Sequence, residues 1–316
     1  MILVLRALGV GDLVTAVPAL RGLRAAHPDD VLALAAPTWL TPLIELIGGV
    51  DRVVPTDGLG PHRWTVPPPE LAINLHGRGP QSHRLLAAAK PSRLWAFAHV
   101  DAGHPDGPPW IDEEHEVTRW CRMVRFYGVP TDERDLQLER PRAAAVPAGT
   151  TIVHPGAKSP TRRWPVDRFA AVARALAGRG HRVVITGSAG EREVAEQVAQ
   201  RAGLPESTVL AGRTGLTELA ALVADARLLI SGDTGIGHLA TAYRTPSVLL
   251  FGPVPPRRWG PPPDRPYHRA IWHGTRAEPG DAPEGDPHPA LLAIDPGEVL
   301  AAAADVERAR HAVAAQ

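Results

Sequence analysis

The sequence predicts an α/β protein made of two doubly wound, parallel-sheet halves in tandem. Three observations carry this. Short β-rich apolar runs alternate with stretches of helical period, the pattern of strands buried on both faces. The alternation lapses across Glu139–Thr150, where two prolines interrupt any periodicity, and then restarts. The length, 316 residues, is about twice that of a typical domain. The halves are therefore drawn at 1–145 and 146–295, with a closing helix at 296–316 set to pack back on the first half. A cleft between the halves is the natural place for a ligand.

The elements follow in order. Met1-Ile-Leu-Val-Leu-Arg6 reads as a buried strand that Gly9-Val-Gly-Asp12 breaks. Leu13, Val17, Leu20 and Leu23 then recur at helical spacing, and Pro18 marks a bend or a shifted helix start. Strands are predicted at Val31–Ala36, Asp51–Pro55 and Leu71–Leu75, and a longer helix at Glu113–Tyr127. In the second half the predicted order is strand Thr151–Val153, helix Val166–Ala177, strand Arg182–Thr186 and helices Glu191–Arg201 and Leu216–Ala224. Strand Arg227–Ile230, helix Ile236–Tyr243, strand Ser247–Phe251 and the alanine-rich helix Pro296–Ala315 complete it. Prolines make Pro253–Pro266 and Pro279–Pro289 stiff, extended loops.

Composition excludes several classes of function. Lys+Arg and Asp+Glu both number 34, and this zero formal charge argues against a partner held mainly by long-range attraction, such as a nucleic acid or an anionic membrane. A single cysteine, Cys121, rules out an internal disulfide framework or a cysteine metal cage and fits a reducing cytoplasm. Arg6 and Asp12 break the first apolar run too early for a signal peptide, and no run reaches the ~20 residues of a membrane span. Peripheral membrane contact stays open through the locally basic stretch His76–Arg93.

Four segments carry candidate chemistry. In Leu228–Ala240 a strand ends in the glycine-punctuated turn Gly232-Asp-Thr-Gly-Ile-Gly-His238, which opens a helix. Helix-start amides lack intrahelical partners and favour an anion, and Gly235 and Gly237 clear its approach. The bland alternative is a capped turn with Asp233 as N-cap. The loop His154-Pro-Gly-Ala-Lys-Ser-Pro-Thr-Arg-Arg-Trp-Pro165 leaves the same sheet edge with three cations. Arg162 would fork onto phosphate oxygens and Lys158 would act as a mobile charge, unless the loop is merely solvated. Glu191 closes Thr186-Gly-Ser-Ala-Gly-Glu191, to meet a ribose diol or to complement a helix dipole. Asp12, beside Gly11, is either a helix N-cap or a general base that takes a proton from an acceptor hydroxyl.

Gly235-x-Gly-x-x-Ala240 also matches the dinucleotide fingerprint of an NAD(P)-dependent oxidoreductase. That reading needs an acidic residue at the end of the next strand, and Val248-Leu-Leu-Phe-Gly-Pro253 carries none. No Asp-x-Asp, His-Glu-x-x-His, Cys-x-x-Cys or P-loop spacing occurs. Charge on a leaving group would thus be met by amides and cationic side chains, with neither metal nor cofactor.

Taken together, Gly11-Asp12, the His154-Pro-Gly-Ala loop ending Arg162-Arg-Trp-Pro165, Gly232-Asp-Thr-Gly-x-Gly-His238 and Phe251-Gly-Pro253 resemble the bacterial heptosyltransferases, glycosyltransferase family nine. The resemblance covers nearly the whole chain. It implies a GT-B fold of two Rossmann-like domains, with the acceptor on the first and the donor in the second. It also implies metal-independent, inverting transfer from ADP-heptose. Position by position, it makes Asp12 the base and sets Arg162 beside the donor phosphates and Glu191 at the ribose. Asp233, Thr234, Gly235 and His238 become the phosphate- and sugar-binding turn, and Thr214–Leu216 meets the adenine. Asn74, His76 and Arg78, with Gly11, fall on the acceptor side, where family members often have Asp-x-Gln-Gly. The acceptor is then a glycan, glycolipid or small natural product. A GT-B-fold sugar-nucleotide epimerase and a non-catalytic nucleotide- or sugar-binding protein are the remaining alternatives.

Overall fold

A computed structural model describes residues 1–141, 147–278 and 285–314, without the side chains of 311–314. The boundary drawn at 145/146 and the first part of the Pro279–Pro289 loop lie outside the described residues. The chain divides into two compact units, Met1–Glu139 and Arg140–Gln316.

The first unit runs β1 (Ile2–Leu5), α1 (Val10–Thr15), α2 (Val17–Ala26), β2 (Leu32–Ala36), α3 (Thr41–Glu45), β3 (Arg52–Pro55), β4 (Leu71–Asn74), α4 (Gln81–Ala87), β5 (Arg93–Trp95) and α5 (Glu116–Phe126). Its strands form one parallel sheet in the order β3-β2-β1-β4-β5. Every residue of β1, β2 and β4 is buried, as continuous apolar runs require, while the edge strands β3 and β5 are partly exposed. Pro18 resolves as a shifted start: it is the second residue of α2, in the first turn where a missing N–H costs nothing, and Ala16 separates α2 from α1.

The second unit runs β6 (Thr151–His154), α6 (Val166–Gly178), β7 (Val183–Ile185), α7 (Arg192–Ala202), α8 (Leu216–Ala224), β8 (Leu228–Gly232), α9 (Gly235–Tyr243), β9 (Ser247–Leu250), α10 (Pro256–Trp259), β10 (His268–Ile271), α11 (Pro289–Leu292) and α12 (Pro296–Ala314). Its parallel sheet has the order β10-β9-β8-β6-β7. Ile185, Leu228, Ile230, Val248 and Leu250 pack there with Phe169, Leu176 and Val198 in one core.

The structure corrects two expectations here. The closing helix was set apart from the second half, but α12 belongs to the second unit, packed on α6, β9 and β10 through Val299, Ala303 and Val306. Pro253–Pro266 is not extended throughout, because Pro256 starts the helical turn α10.

Each sheet has a switch point, a pair of neighbouring strands whose onward connections run to opposite sides. In the first unit it lies between β1 and β4, and in the second between β6 and β8. Ligands of open α/β sheets bind beyond the carboxyl ends of such pairs.

Candidate active site

In the second unit, the loop after β6 and the turn after β8 meet at the switch point. A Cβ on Gly232 would stand 3.3 Å from the carbonyl oxygen of Arg162, so glycine is what allows this approach. The Arg162 guanidinium pairs with the Asp233 carboxylate at 3.3 Å, with the two side chains 23% and 9% exposed. Asp233 is therefore not the N-cap. That position is Thr234, whose side chain makes no capping hydrogen bond and lies 3.1 Å from Ser231 Oγ. Gly235 opens α9, where the Gly237 amide donates to the Thr234 carbonyl at 3.0 Å and no N-cap side chain takes an amide of the first turn.

Gly237 does something other than clear the way for an anion. It is buried, and a Cβ would sit 3.0 Å from Leu249, so it seats α9 on β9. His238, one turn into α9, meets the edge of Trp259 at 5.8 Å, a contact the sequence did not signal. Lys158 is exposed, and Leu216 is the half-buried first residue of α8, after Gly215.

Glu191 lies at the neighbouring strand end. The Ser188 amide and hydroxyl donate to its Oε2 at 2.7 and 2.8 Å. A side chain at Gly156 would overlap the carboxylate, which therefore rests against the loop after β6. Burial alone would raise the Glu191 pKa, but the Ser188 hydrogen bonds hold it below the usual carboxylate range. His154 is held below its own usual range by burial, with Nδ1 2.9 Å from Thr186 Oγ1. Arg162, Asp233, Glu191 and the start of α9 thus crowd one sheet edge.

In the first unit, Asp12 follows β1 at the third position of α1, so it is not the N-cap either; Gly9 is. The carboxylate still serves the helix start, since Oδ2 accepts the Gly9 amide at 3.1 Å. Oδ1 is 3.9 Å from the guanidinium of Arg6, and the side chain is 30% exposed. Gly11 is its half-buried neighbour.

At the end of β4, Asn74 is fully buried. Its Nδ2 donates to Gly77 O at 3.1 Å and to Ser82 Oγ at 2.9 Å, and lies 3.1 Å from His83 Nδ1. Its Oδ1 accepts the His76 amide at 2.9 Å. Asn74 thus shapes the turn and offers no direct contact to an acceptor. Arg78 is exposed, and His76 is half-buried with its Nδ1 buried and unpartnered. Sequence reasoning treated Arg6 only as a charge interrupting an apolar run and missed its place beneath Asp12. It also missed Ser188.

Two histidines, half-buried His76 and buried His268, predict an acid limit to stability. Burial, reinforced by Arg6, lowers His76 to about 4; burial, reinforced by Arg265, lowers His268 to about 3. Unfolded, both titrate near 6.5, so below that pH the unfolded chain binds more protons than the folded one. Their contribution is complete above pH 6.5 and is lost as pH falls towards 4 for His76 and 3 for His268. The urea midpoint should fall through this window, and His268→Gln should flatten the fall. An unchanged slope in that variant would refute the assignment.

A family model described as glycosyltransferase family 9 (heptosyltransferase) matches residues 107–279. The chain belongs to glycosyltransferase family 9. It is similar to lipopolysaccharide heptosyltransferase 2 of Escherichia coli, with 26% identity over 345 aligned residues, 95% of this chain and 96% of that protein. Over 150 residues, 45% of this chain and 41% of the relative, it is 37% identical to lipopolysaccharide heptosyltransferase 1 of Pseudomonas aeruginosa. The solved E. coli ADP-heptose LPS heptosyltransferase II superposes with a TM-score of 0.77 at 22% identity, covering 98% of this chain and 99% of that one. E. coli heptosyltransferase WaaC with ADP-2-deoxy-2-fluoro heptose superposes with a TM-score of 0.68 at 17% identity, covering 95% and 98%. The two parallel-sheet units of this glycosyltransferase therefore have the GT-B-like fold of the solved heptosyltransferases. Among the described residues no helix is long and apolar enough to cross a membrane, and no three His, Cys, Asp or Glu side chains gather as a metal site.

Proposed function

We propose that this glycosyltransferase moves a heptose from an ADP-sugar to a hydroxyl of a glycan, glycolipid or natural-product acceptor, inverting the anomeric centre. One observation carries the donor assignment: Arg162 lies at the β6/β8 switch point, where the turn after β8 opens the start of α9 and no N-cap side chain takes its amides. Amides and a guanidinium there are what a diphosphate needs. Glu191, held ionised by Ser188, is placed to accept hydrogen bonds from the ribose, with Leu216 on the adenine side. Asp233, Thr234, Gly235 and His238 face the phosphates and the sugar, and Lys158 adds a mobile charge.

Asp12 takes the proton from the acceptor hydroxyl. That oxygen bonds to the anomeric carbon as the bond to the diphosphate oxygen breaks, and the electron pair leaves with ADP. Arg162 and the α9 amides stabilise the charge that develops, so the step needs no metal. Gly11 leaves room beside the base, while His76 and Arg78 offer polar contacts to the acceptor. The relatives solved with ADP and with a fluorinated ADP-heptose support the choice of nucleotide and sugar. We place the enzyme in the cytoplasm, touching a membrane surface when the acceptor is a glycolipid.

A thermal-shift panel of ADP, UDP, GDP and TDP tests the donor. ADP alone should raise the melting temperature, because a ligand that binds only the folded state stabilises it. A shift with another nucleotide and none with ADP would overturn the assignment.

A further inference from the structure

We infer that Arg6 is a positioning residue for catalysis, a buried clamp that ties the Asp12 turn to the end of β4. The inference rests on the proposed role of Asp12 as base. Arg6 continues the apolar run of β1 into the core and is 0% exposed, where an aliphatic side chain would pack at no electrostatic cost. Its donors fan out instead. Nε donates to the Asp12 carbonyl at 2.7 Å, Nη1 donates to the Leu75 carbonyl, and Nη2 donates to Thr15 Oγ1 at 3.1 Å. Thr15 Oγ1 in turn donates to the same Asp12 carbonyl at 2.9 Å.

The charge is balanced from α5. Glu116 Oε1 lies 3.4 Å from Nη2 and also accepts the indole N–H of Trp120 at 2.7 Å, and the Trp120 ring lies 4.6 Å from the guanidinium carbon. Arg119 pairs with the other Glu116 oxygen.

The purpose of the fan lies in what it joins. Asp12 stands on a six-residue helix, too short to hold itself. Leu75 immediately precedes His76, just past the end of β4, the other strand of the switch point. One planar guanidinium therefore holds the base and the acceptor-side turn in register. Nη2 sits 3.9 Å behind Asp12 Oδ1, and the carboxylate stays open to an incoming hydroxyl. A lysine keeps the charge, but its one nitrogen cannot span both carbonyls.

The test uses the full-length enzyme with Arg6→Lys, Arg6→Met and Arg6→Met/Glu116→Gln. It reads kcat, both KM values, ADP affinity and melting temperature. Misplacing a catalytic group by about 1 Å costs about 10²-fold, so kcat should fall about 10²-fold in Arg6→Met and about tenfold in Arg6→Lys. ADP affinity should not change. Arg6→Met takes one cation from Glu116, which keeps Arg119 and Trp120, and lowers the melting temperature; the double variant restores the charge balance of the cluster and should recover part of the melting without recovering kcat. A double variant with wild-type melting and wild-type kcat, or a folded Arg6→Lys with wild-type kcat, overturns the clamp. Asp12→Asn, run alongside, separates the two readings: if it turns over normally, the base assignment falls whatever Arg6 does.

Discussion

Replacing Asp12 with alanine should lower turnover by about two to four orders of magnitude and leave ADP binding as it is. The size follows from what is removed. An acceptor hydroxyl is a poor nucleophile until its proton has somewhere to go, and the Asp12 carboxylate, 30% exposed and anchored through one oxygen to the Gly9 amide, offers that place. Binding is spared because the nucleotide contacts are assigned to residues 154–238. A structural loss accompanies the chemical one. The Gly9 amide loses its acceptor, and such a cap is worth about 1 kcal/mol, so the melting temperature should drop slightly. Asp12→Asn keeps a carbonyl for that amide and removes the basicity, so it isolates the chemistry. Saturating kinetics with calorimetry of ADP decide the matter. Near-normal kcat in either folded variant would remove Asp12 from the reaction.

The sequence made the central strands legible because burial on both faces leaves a continuous apolar signature. β1, β2, β4, β8 and β9 lie within a residue or two of their predicted bounds. The edge strands β5 and β10 left no such trace. Arg93-Leu-Trp95 and His268-Arg-Ala-Ile271 mix polar with apolar residues because one side of each meets solvent. The same physics separates what was visible in the site from what was not. The glycines around Asp233 and the cations of the 154–165 loop stand out by composition, since backbone approach and anion binding need particular residue types. The roles within each turn depend on side-chain direction, which spacing does not encode. By residue type and place, Asp12 and Asp233 each suit the N-cap of a helix. In the fold the caps are Gly9 and Thr234, while Asp12 caps from the third position and Asp233 turns to Arg162. Asn74 resembled an acceptor contact until its burial became visible. Arg6 was the residue at odds with its local pattern, and such conflicts between a strand and its charge tend to mark functional places.

Arg162→Ala should weaken ADP binding about 30- to 100-fold, since hydrogen bonds to a charged group contribute about 1.5–3 kcal/mol each. Part of that loss comes from the residue left behind. Asp233 is 9% exposed and pairs with Arg162 at 3.3 Å, so removing the guanidinium leaves a carboxylate facing the incoming diphosphate without that partner. The repulsion adds to the missing attraction. Arg162→Ala/Asp233→Asn should therefore bind ADP more tightly than Arg162→Ala alone, a non-additivity that a double-mutant cycle by calorimetry reads directly. The two outcomes bear on different parts of the assignment. Unchanged affinity in Arg162→Ala would take the 154–165 loop out of the donor site altogether. A double variant weaker than either single one would mean that Asp233 holds the ligand itself, and that its pairing with Arg162 gives way when the nucleotide arrives.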